Sequence, residues 1–289
     1  MIKIAGKKIT TFNIVNALIM FVLCVLFIIP FWMIITASFS ENALLQKNGI
    51  SFWFQGFSLR GYEYLFEMSD IFLHSLWVSI ETSVLAALGT MVVSSLAAYA
   101  LSKKTLVGRK LFNVFLMITM FFSGGTIPAF LVVRAVGIYD TIWAFILPGL
   151  ASTYYILLVR NYFYSLPASL EEAATLDGAN DAEVFWHIYL PLSVPMIVTV
   201  GIMAFIGRWN NWLTSLLYVG ATNEELWSVQ YVLRIILTNM QQIGGGLADA
   251  PTIAARNAGI VIVVMPLVLI SPILQKYFIS GMTAGAVKG

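Results

Sequence analysis

The segment Leu170–Pro195, LEEAATLDGANDAEVFWHIYLPLSVP, contains five carboxylates and several small residues. Two prolines, Pro191 and Pro195, lie near its end. It lies between two stretches that are apolar enough to sit in lipid, in a chain that is 60% hydrophobic and only 10% charged. Ordinary soluble domains carry about 25% charged residues. The composition therefore predicts an integral membrane protein, with this acidic segment as one of its loops.

Outward from this loop, the chain contains long apolar runs bounded by polar residues. A helix needs about 20 apolar residues to cross the hydrocarbon core, and it satisfies its own backbone hydrogen bonds there. The predicted spans are about 14–39, 72–101, 111–135, 141–160, 190–219 and 257–280. The pattern thus predicts an all-α, polytopic membrane fold with six transmembrane helices in a single domain, residues 1–289.

The distribution of lysine and arginine orients these spans. Short cytoplasmic loops are enriched in both residues, whereas outer loops are depleted. Basic residues cluster ahead of the first span, in the second loop and near the end of the chain: Lys3, Lys7, Lys8, Lys103, Lys104, Arg109, Lys110, Lys276 and Lys288. We therefore expect a multi-pass membrane protein with both termini and the acidic loop, about 162–189, in the cytoplasm.

Several function classes lack their requirements in this sequence. The net charge of +2 and the absence of a basic stripe argue against a nucleic-acid partner. There is no H-E-x-x-H motif, and the two histidines, His74 and His187, are predicted on opposite sides of the membrane, so no metal site is expected. The phosphate-binding motif G-x-x-x-x-G-K-[ST] is also missing, so the chain is not expected to be an enzyme that hydrolyses nucleotides.

The acidic loop has the local signals of two short helices joined at a glycine. Ser169 with Glu172, and Asn180 with Glu183, have the spacing of capping boxes. Pro195 is expected to bend the helix that follows. The small residues beside Glu172 allow another protein to approach the backbone closely, which makes the first helix a candidate docking element. The alternative is a solvated amphipathic helix lying on the membrane surface.

The same loop resembles the signature of permease subunits of ATP-binding-cassette (ABC) importers: E-A-A, then G, then nine residues, then I-x-L-P. The matching residues are Glu172, Ala173, Ala174, Gly178, Ile188, Leu190 and Pro191, with Asp177, Ala179 and Phe185 in the extended form. The stretches AAYALSKKTLVGRK (97–110), GGTIPAFLVVRAVGIYDTIWAFILPG (124–149), RWNNW (208–212) and GAVKG (285–289) are similar to the carbohydrate-uptake branch. Within it, the chain looks most like maltose-type permeases and the lipoprotein-fed oligosaccharide permeases of Firmicutes.

This resemblance implies a type I ABC importer permease fold, a place in a bacterial cytoplasmic membrane and an assembly of several proteins. The partners it implies are a second homologous permease, a cytoplasmic ATPase dimer and an extracellular solute-binding protein, expected to be a lipoprotein. No cofactor is expected on this chain, because ATP and Mg belong to the partner ATPase. The segment 172–179 is then the coupling helix that sits in a groove of the ATPase, with Ile188, Leu190 and Pro191 joining it to the fifth span.

Polar residues inside the spans are candidates for the substrate path. Ionisable groups at membrane depth are costly, which singles out Glu81 and Arg208, as separate path residues, as an ion pair or as structural interhelical contacts. In RWNNW, the indoles of Trp209 and Trp212 offer platforms for sugar C–H faces, and the amides of Asn210 and Asn211 offer hydrogen bonds. The alternative is a lipid-interface belt of indoles with asparagines that join helices.

The outer loop 220–256 contains three consecutive glycines, Gly244, Gly245 and Gly246. By resemblance to maltose-type permeases they are candidates for contact with the binding protein, although a flexible connector explains them equally well. We expect import of a sugar or oligosaccharide driven by ATP. The alternatives are an ion-coupled secondary transporter, in which Glu81 carries the ion, an ABC permease for a non-sugar solute, and a scaffold without transport.

Overall fold

The computed structural model describes residues 3–4, 7–8, 10–67, 70–243 and 252–286, and most of them are helical. The described residues also form two short antiparallel strands, β1 (Lys3–Ile4) and β2 (Lys7–Lys8). The helices are α1 Thr11–Ser38, α2 Asn42–Asn48, α3 Arg60–Glu67, α4 Asp70–Ser102, α5 Arg109–Phe121, α6 Thr126–Ala135, α7 Trp143–Ile146, α8 Thr153–Phe163, α9 Ala168–Leu176, α10 Asp181–Val184, α11 Leu190–Leu192, α12 Val194–Trp209, α13 Leu213–Tyr218, α14 Val229–Ile243 and α15 Thr252–Ala286. A π-helical turn covers Phe185–Tyr189, and a 3₁₀ turn covers Glu224–Leu226. The expected all-α fold is confirmed.

Three of these helices contain unbroken apolar segments long enough to cross a membrane. Within the described part of the chain these are Thr11–Ser38, Ile71–Ser102 and Ile253–Pro272, and they contain most of the first, second and sixth predicted spans. The apolar side chains of α1 are largely exposed, with Phe12 at 75% and Phe27 at 70%. An exposed apolar helix of this length is stable only against lipid or another apolar surface, which agrees with the expectation for a membrane protein.

The third predicted span, 111–135, is not one straight helix. It divides into α5 and α6, which are bent by 117° relative to each other. Gly125 adopts a positive φ of 85° just before α6, a conformation that a glycine reaches without steric cost. Pro128 then occupies the first turn of α6, where its missing N–H is tolerated. The apolar composition predicted the span, whereas the glycine and proline decide that it is broken.

The fourth and fifth predicted spans, 141–160 and 190–219, are also interrupted. Between α7 and α8 the chain turns through Pro148 and Gly149, and Gly149 has a φ of 84°. The helical segment Asp181–Leu192 meets α12 at a 76° bend. Pro195 has no N–H to donate to the preceding turn, so the expected bend is present. A second break separates α12 from α13, where the Asn211 Oδ1 accepts a hydrogen bond from the Thr214 amide at 3.1 Å.

The described chain divides into two compact units. The first comprises residues 1–70 and 235–264, and the second comprises residues 71–234 and 265–289. In the first unit, the chain after α1 contains the short helices α2 and α3. The Asn42 side chain accepts hydrogen bonds from the amides of Ile253 and Ala254 at 3.0 and 3.4 Å. It thereby satisfies amides in the first turn of α15 that have no partner within the helix.

Small residues bring α3 and α15 close together within this first unit. A Cβ atom added to Gly61 would lie only 2.8 Å from the Ala254 carbonyl carbon, so no larger residue fits. Leu65 packs beside Ala255 and Ala258 in a small buried cluster. Close approach through small residues is the usual basis of helix association in membranes, where the hydrophobic effect between helices is weak.

The predicted outer loop, residues 220–256, contains α14, a helix that the sequence pattern does not predict. Val229, Val232 and Leu233 are buried, and this i, i+3, i+4 spacing marks one packed face of a helix. The Val229 amide donates to the Ser79 hydroxyl at 2.8 Å, which ties the start of α14 to α4. The candidate binding-protein contacts Gly244, Gly245 and Gly246 lie outside the described residues.

Candidate functional site

The acidic loop consists of α9, a glycine turn, α10 and the π-helical turn that leads into α11. The capping box predicted at Asn180 is confirmed: its side chain accepts from the Glu183 amide at 3.0 Å, and the Glu183 carboxylate accepts from the Asn180 amide at 2.8 Å. The capping box predicted at Ser169 is wrong. Helix α9 begins at Ala168, directly after Pro167, so Ser169 lies inside the helix. The fixed φ of a proline suits a helix start, so the chain needs no hydroxyl cap there.

Gly178 ends α9 in a left-handed conformation with φ of 90°. The Gly178 amide donates to the Thr175 carbonyl at 3.1 Å, and the Ala179 amide donates to the Ala174 carbonyl at 2.9 Å. This pair of bonds is a Schellman motif, which satisfies the last carbonyls of a helix. Nothing lies within 4 Å of a Cβ added to Gly178, so the backbone conformation, and not lack of space, requires glycine.

Helix α9 has two different faces. Ala174 packs against a buried cluster that contains Tyr99, Phe163 and Phe185, and Ala179 joins it from beyond the glycine. Glu172, Ala173 and Asp177 are exposed, and Leu176 at the tip is 89% exposed. The loop is therefore attached to its own chain along one side and presents small and acidic residues along the other.

An ion-pair cluster attaches this loop to the end of α4. The Lys103 ammonium lies 2.5 Å from Glu171 Oε1 and 2.9 Å from Asp181 Oδ1, and its side chain is only 13% exposed. The Tyr189 hydroxyl donates to Glu171 Oε2 at 2.5 Å, and the Tyr99 hydroxyl donates to the Asp181 carbonyl at 2.8 Å. We call these five residues the Lys103 cluster.

The cluster stabilises its own charges. Burial by itself would lower the pKa of Lys103, but hydrogen bonds to Glu171, Tyr99 and Asp181 outweigh it and raise the pKa. Burial likewise opposes ionisation of Glu171, yet hydrogen bonds from Lys103 and Tyr189 lower the pKa of this carboxyl. Burial and the hydrogen bond to Glu171 both raise the pKa of Tyr189. The ammonium and carboxylate therefore stay ionised around neutral pH.

Sequence reasoning missed the Lys103 cluster. It singled out Glu172, which is exposed, while the neighbouring Glu171 makes the internal contact. One usable signal was present: Lys103 and Glu171 lie in loops predicted on the same side of the membrane, with opposite charges. Their separation of 68 residues hides the pairing from any local pattern.

The loop continues into the fifth predicted span without a flexible linker. From Asp181 to Leu192 the backbone stays helical, with the π-helical turn in its middle. Ile188 and Leu190 pack against the same buried cluster as Ala174, whereas Pro191 is exposed. The helical backbone and these packed residues connect the loop to the bend ahead of α12 without an unstructured interruption.

A cavity of about 530 Å³ lies among α4, α5, α8 and α12. Its lining is rich in hydroxyl and amide groups and contains no acidic residue: Thr90, Thr119, Met120, Gly149, Ala151, Ser152, Thr153, Tyr154, Tyr155, Ala204, Gly207, Arg208 and Asn211. Ligand sites combine apolar walls with a few placed polar groups. Two predicted path residues, Arg208 and Asn211, therefore line one cavity.

The hypothetical ion pair between Glu81 and Arg208 is absent. Arg208 Nη2 instead donates to the Pro148 carbonyl, and both ion pairs recorded among the described residues involve Lys103. Glu81 is partly buried on α4 and does not line the cavity. The break after α7 leaves the Pro148 carbonyl outside a helix, which frees it to accept from the guanidinium.

The four residues after Arg208 do not form one surface. Trp209 is 1% exposed and its ring stacks on Phe205 at 6.0 Å, so its indole is part of the protein core. Asn210 is exposed and accepts from the Gln230 side chain at 3.3 Å. The Arg234 guanidinium lies 3.7 Å from the ring centroid of Trp212. The predicted pair of flanking indole platforms is therefore wrong for Trp209, because the helix break points the two indoles to different surroundings.

Comparison with known proteins identifies the family. Residues 91–284 match the family described as binding-protein-dependent transport system inner membrane component. The polygalacturonan/rhamnogalacturonan transport system permease protein YtcP of Bacillus subtilis is 38% identical, over 94% of this chain and 96% of its own. The trehalose/maltose transport system permease protein MalG of Thermococcus litoralis is 31% identical, over 96% of each chain.

A solved structure agrees with the fold. A chain from the crystal structure of a bacterial ABC transporter involved in the import of the acidic polysaccharide alginate matches with a TM-score of 0.84 and 29% identity, covering 94% of this chain and 99% of that one. These similarities favour binding-protein-dependent import over the ion-coupled alternative. In such systems ATP hydrolysis belongs to a partner ATPase, so this subunit is not itself an enzyme. The chain therefore belongs to the inner-membrane permease components of binding-protein-dependent ABC importers, and it is a multi-pass protein of the cytoplasmic membrane.

Proposed function

We propose that this chain is one of two homologous but distinct permease subunits that import a sugar or oligosaccharide. An extracellular lipoprotein delivers the sugar, and a cytoplasmic ATPase dimer, which binds ATP and Mg, drives the transport. The similarity to permeases named for polygalacturonan/rhamnogalacturonan and for trehalose/maltose transport supports the substrate class. The hydroxyl-rich lining of the cavity supports it independently, because sugar hydroxyls need such partners.

The docking element for the ATPase is the exposed face of α9. This assignment rests on the difference between the two faces of α9. Ala174 and Glu171 contact other residues of the same chain. Glu172, Ala173 and Asp177 are exposed and can contact a partner. Small side chains on an exposed helix face permit close backbone approach by a partner. The packed connection to α12 then transmits the ATPase movement to the membrane-spanning part.

The test adds bulk to one face of the loop at a time. Ala173→Trp places an indole on the exposed face of α9, and we expect it to abolish both co-purification of the ATPase and sugar uptake. Ala182→Trp adds the same bulk on exposed α10 and should leave both intact at equal membrane levels. If Ala173→Trp retained the ATPase and transported sugar normally, the assignment of the docking face would be wrong.

The sugar path includes the cavity beside α12, with Arg208 and Asn211 as contacts. Asn210, Trp212 and Glu81 do not line the cavity and are therefore secondary candidates for sugar contact. Replacing Asn211 with alanine should change the sugar concentration for half-maximal uptake, whereas Asn210→Ala should not. Equal effects of the two substitutions would favour a packing role for both amides.

Both termini lie in the cytoplasm in this proposal, as the basic residues near them predict. Alkaline phosphatase fused after residue 289 should then be inactive, and green fluorescent protein at the same position should fluoresce. The contact between Gly244–Gly246 and the binding protein also stays a prediction. Crosslinking from a cysteine at position 245 to the binding protein, absent without sugar, would support it.

A further inference from the structure

The guanidinium of Arg208 lies against the backbone of Gly149, in the space that a side chain at this position would fill. A Cβ atom added to Gly149 would lie 2.9 Å from Arg208 Nη2, so any other residue at this position would displace the guanidinium. Gly149 also has a positive φ of 84°, and both residues line the 530 Å³ cavity. The broken helix thus supplies both the space and one acceptor, the Pro148 carbonyl.

The charge of this guanidinium is not neutralised within the described part of the chain. Its recorded hydrogen bond goes to a neutral carbonyl and uses one of the five donors of an arginine. None of the residues that line the cavity is acidic. Ionisable groups within membrane-spanning segments usually pair with an opposite charge or mark a transport path. An unpaired cation that lines a cavity is accordingly available to an anionic ligand.

We infer that the transported sugar carries a carboxylate and that Arg208 binds this carboxylate in the cavity. This inference rests on the proposed sugar import and narrows its substrate to uronic acid oligosaccharides. A guanidinium matches a carboxylate with two parallel hydrogen bonds, a geometry that a neutral hydroxyl does not reproduce. The Ser152 hydroxyl and the Nδ2 group of Asn211 line the same cavity and can serve the sugar hydroxyls.

A neutral sugar would not need this arrangement. The threonines, tyrosines and asparagine of the lining already supply donors and acceptors for hydroxyl groups. Partial burial of a cation among them costs free energy, and the single neutral carbonyl that accepts from Arg208 recovers less of it than an opposite charge would. Arg208 is therefore a specificity-determining residue, and its removal should affect charged substrates more than uncharged ones.

The experiment compares acids with their esters in the complete transporter. The permease pair, the ATPase and the binding protein are reconstituted in liposomes with ATP, and uptake is measured for digalacturonate, diglucuronate and their methyl esters. Esterification removes the charge while it keeps the sugar ring and hydroxyls. The binding protein is the same in every sample, so a change in the acid-to-ester ratio between variants originates in the permease.

We expect the wild type to import at least one of the acids. Arg208→Gln should lower uptake of that acid about tenfold or more, as expected for loss of a charge-assisted pair, and change uptake of its ester much less. Arg208→Lys should recover part of the acid uptake, because it restores the charge without the two-pronged geometry. Arg134→Gln removes an equal charge from an exposed residue outside the cavity and should leave the ratio unchanged.

Three results would overturn the inference. Equal loss of acid and ester uptake in Arg208→Gln would indicate a structural role. No loss of either would remove Arg208 from the path. If the transporter imported neutral oligosaccharides such as maltotriose and none of the acids, the inferred acidic substrate would be wrong, but the proposed import of sugars would still hold. ATP-driven transport of no sugar at all would instead contradict the proposed function, and the inference with it.

Discussion

Lys103 and Arg208 are both partly buried cations near the ends of long helices, but their surroundings differ. Lys103 lies within 2.9 Å of two carboxylates of its own chain, whereas Arg208 has a recorded bond to a backbone carbonyl and no acidic neighbour in its cavity. The first charge is paired within the folded chain, so it holds the acidic loop against the end of α4. The charge of Arg208 has no opposite charge among the residues that line its cavity, and a cation in this situation is available to an anionic ligand.

The largest expected effect is a loss of stability at a buried residue next to the cavity, which would distinguish a structural residue from a ligand-binding one. Trp209→Ala removes a fully buried indole beside Arg208 and should destabilise the protein by about 3–5 kcal/mol. Trp212→Ala mainly loses the contact with Arg234, and should cost about 1 kcal/mol. Thermal aggregation midpoints of the purified complexes measure the difference. If Trp209→Ala kept the wild-type midpoint but changed sugar preference, the indole would belong to the path and not to the core.

Removal of the Lys103 charge should weaken the attachment of the acidic loop to α4. Lys103→Met leaves Glu171 without its cation, and a loss of about 1–3 kcal/mol is expected for a partly exposed network. Because the loop then loses its attachment to α4, ATP hydrolysis should continue with less sugar imported per ATP. The measurement is the ratio of ATP hydrolysed to sugar imported in liposomes.

Two further variants sharpen this result. Lys104 is exposed and has no recorded ion pair among the described residues, so Lys104→Met should keep the wild-type ratio. Exchange of charges, Lys103→Glu with Glu171→Lys, should restore part of the coupling. Wild-type coupling in Lys103→Met would show that the cluster is not needed to transmit movement.

A smaller effect is expected at the end of α9. Gly178→Val forces a β-branched residue into a φ of 90°, and this should cost about 1–2 kcal/mol per residue of left-handed backbone. Gly178→Asn should cost less, because asparagine tolerates this region. Space is not limiting at this position, so thermal midpoints should follow backbone preference and not side-chain volume. Equal midpoints for valine and asparagine would contradict the conformational explanation.

The smallest expected effect is that of pH on coupling. The pKa of Glu171 is lowered from its ordinary value of 4.5, so its contribution is present above that value and is lost only as pH falls through the lowered pKa. The pKa of Lys103 is raised from 10.5, so its contribution is complete below 10.5 and is lost only as pH rises through the raised pKa. The ratio of ATP to sugar should therefore stay constant from about pH 6 to pH 9. A change in this ratio near neutral pH would contradict the prediction.

The sequence predicted the helical regions better than their continuity. The spans 111–135 and 190–219 were recognised from apolar composition, yet each contains a sharp bend. Pro195 predicted the bend in the second of these spans, whereas in the first the signal of Gly125 was outweighed by the length of the apolar run. Helix α14 was missed for a different reason: its packed face is short, and it follows a polar turn that suggested a connector.

The candidate site was predicted in part. Local spacing identified the loop, its glycine turn and the Asn180 capping box, because these depend on neighbours within about five residues. The engagement of Glu171 by Lys103, and the burial of Trp209, depend on residues far apart in the chain or on the exact direction of a helix after a break. No periodicity in the sequence contains that information.

The sequence by itself determined that this protein lies in a membrane, that an acidic loop with an importer signature interrupts its spans, and that Gly178 ends the first helix of that loop. These follow from composition and from short-range backbone preferences, which hold in any fold. Only the tertiary structure decided which carboxylate holds the loop and that Arg208 lines a cavity without a counter-charge. Electrostatic pairing depends on distance in space, and folding alone brings residues 68 positions apart to within 2.5 Å.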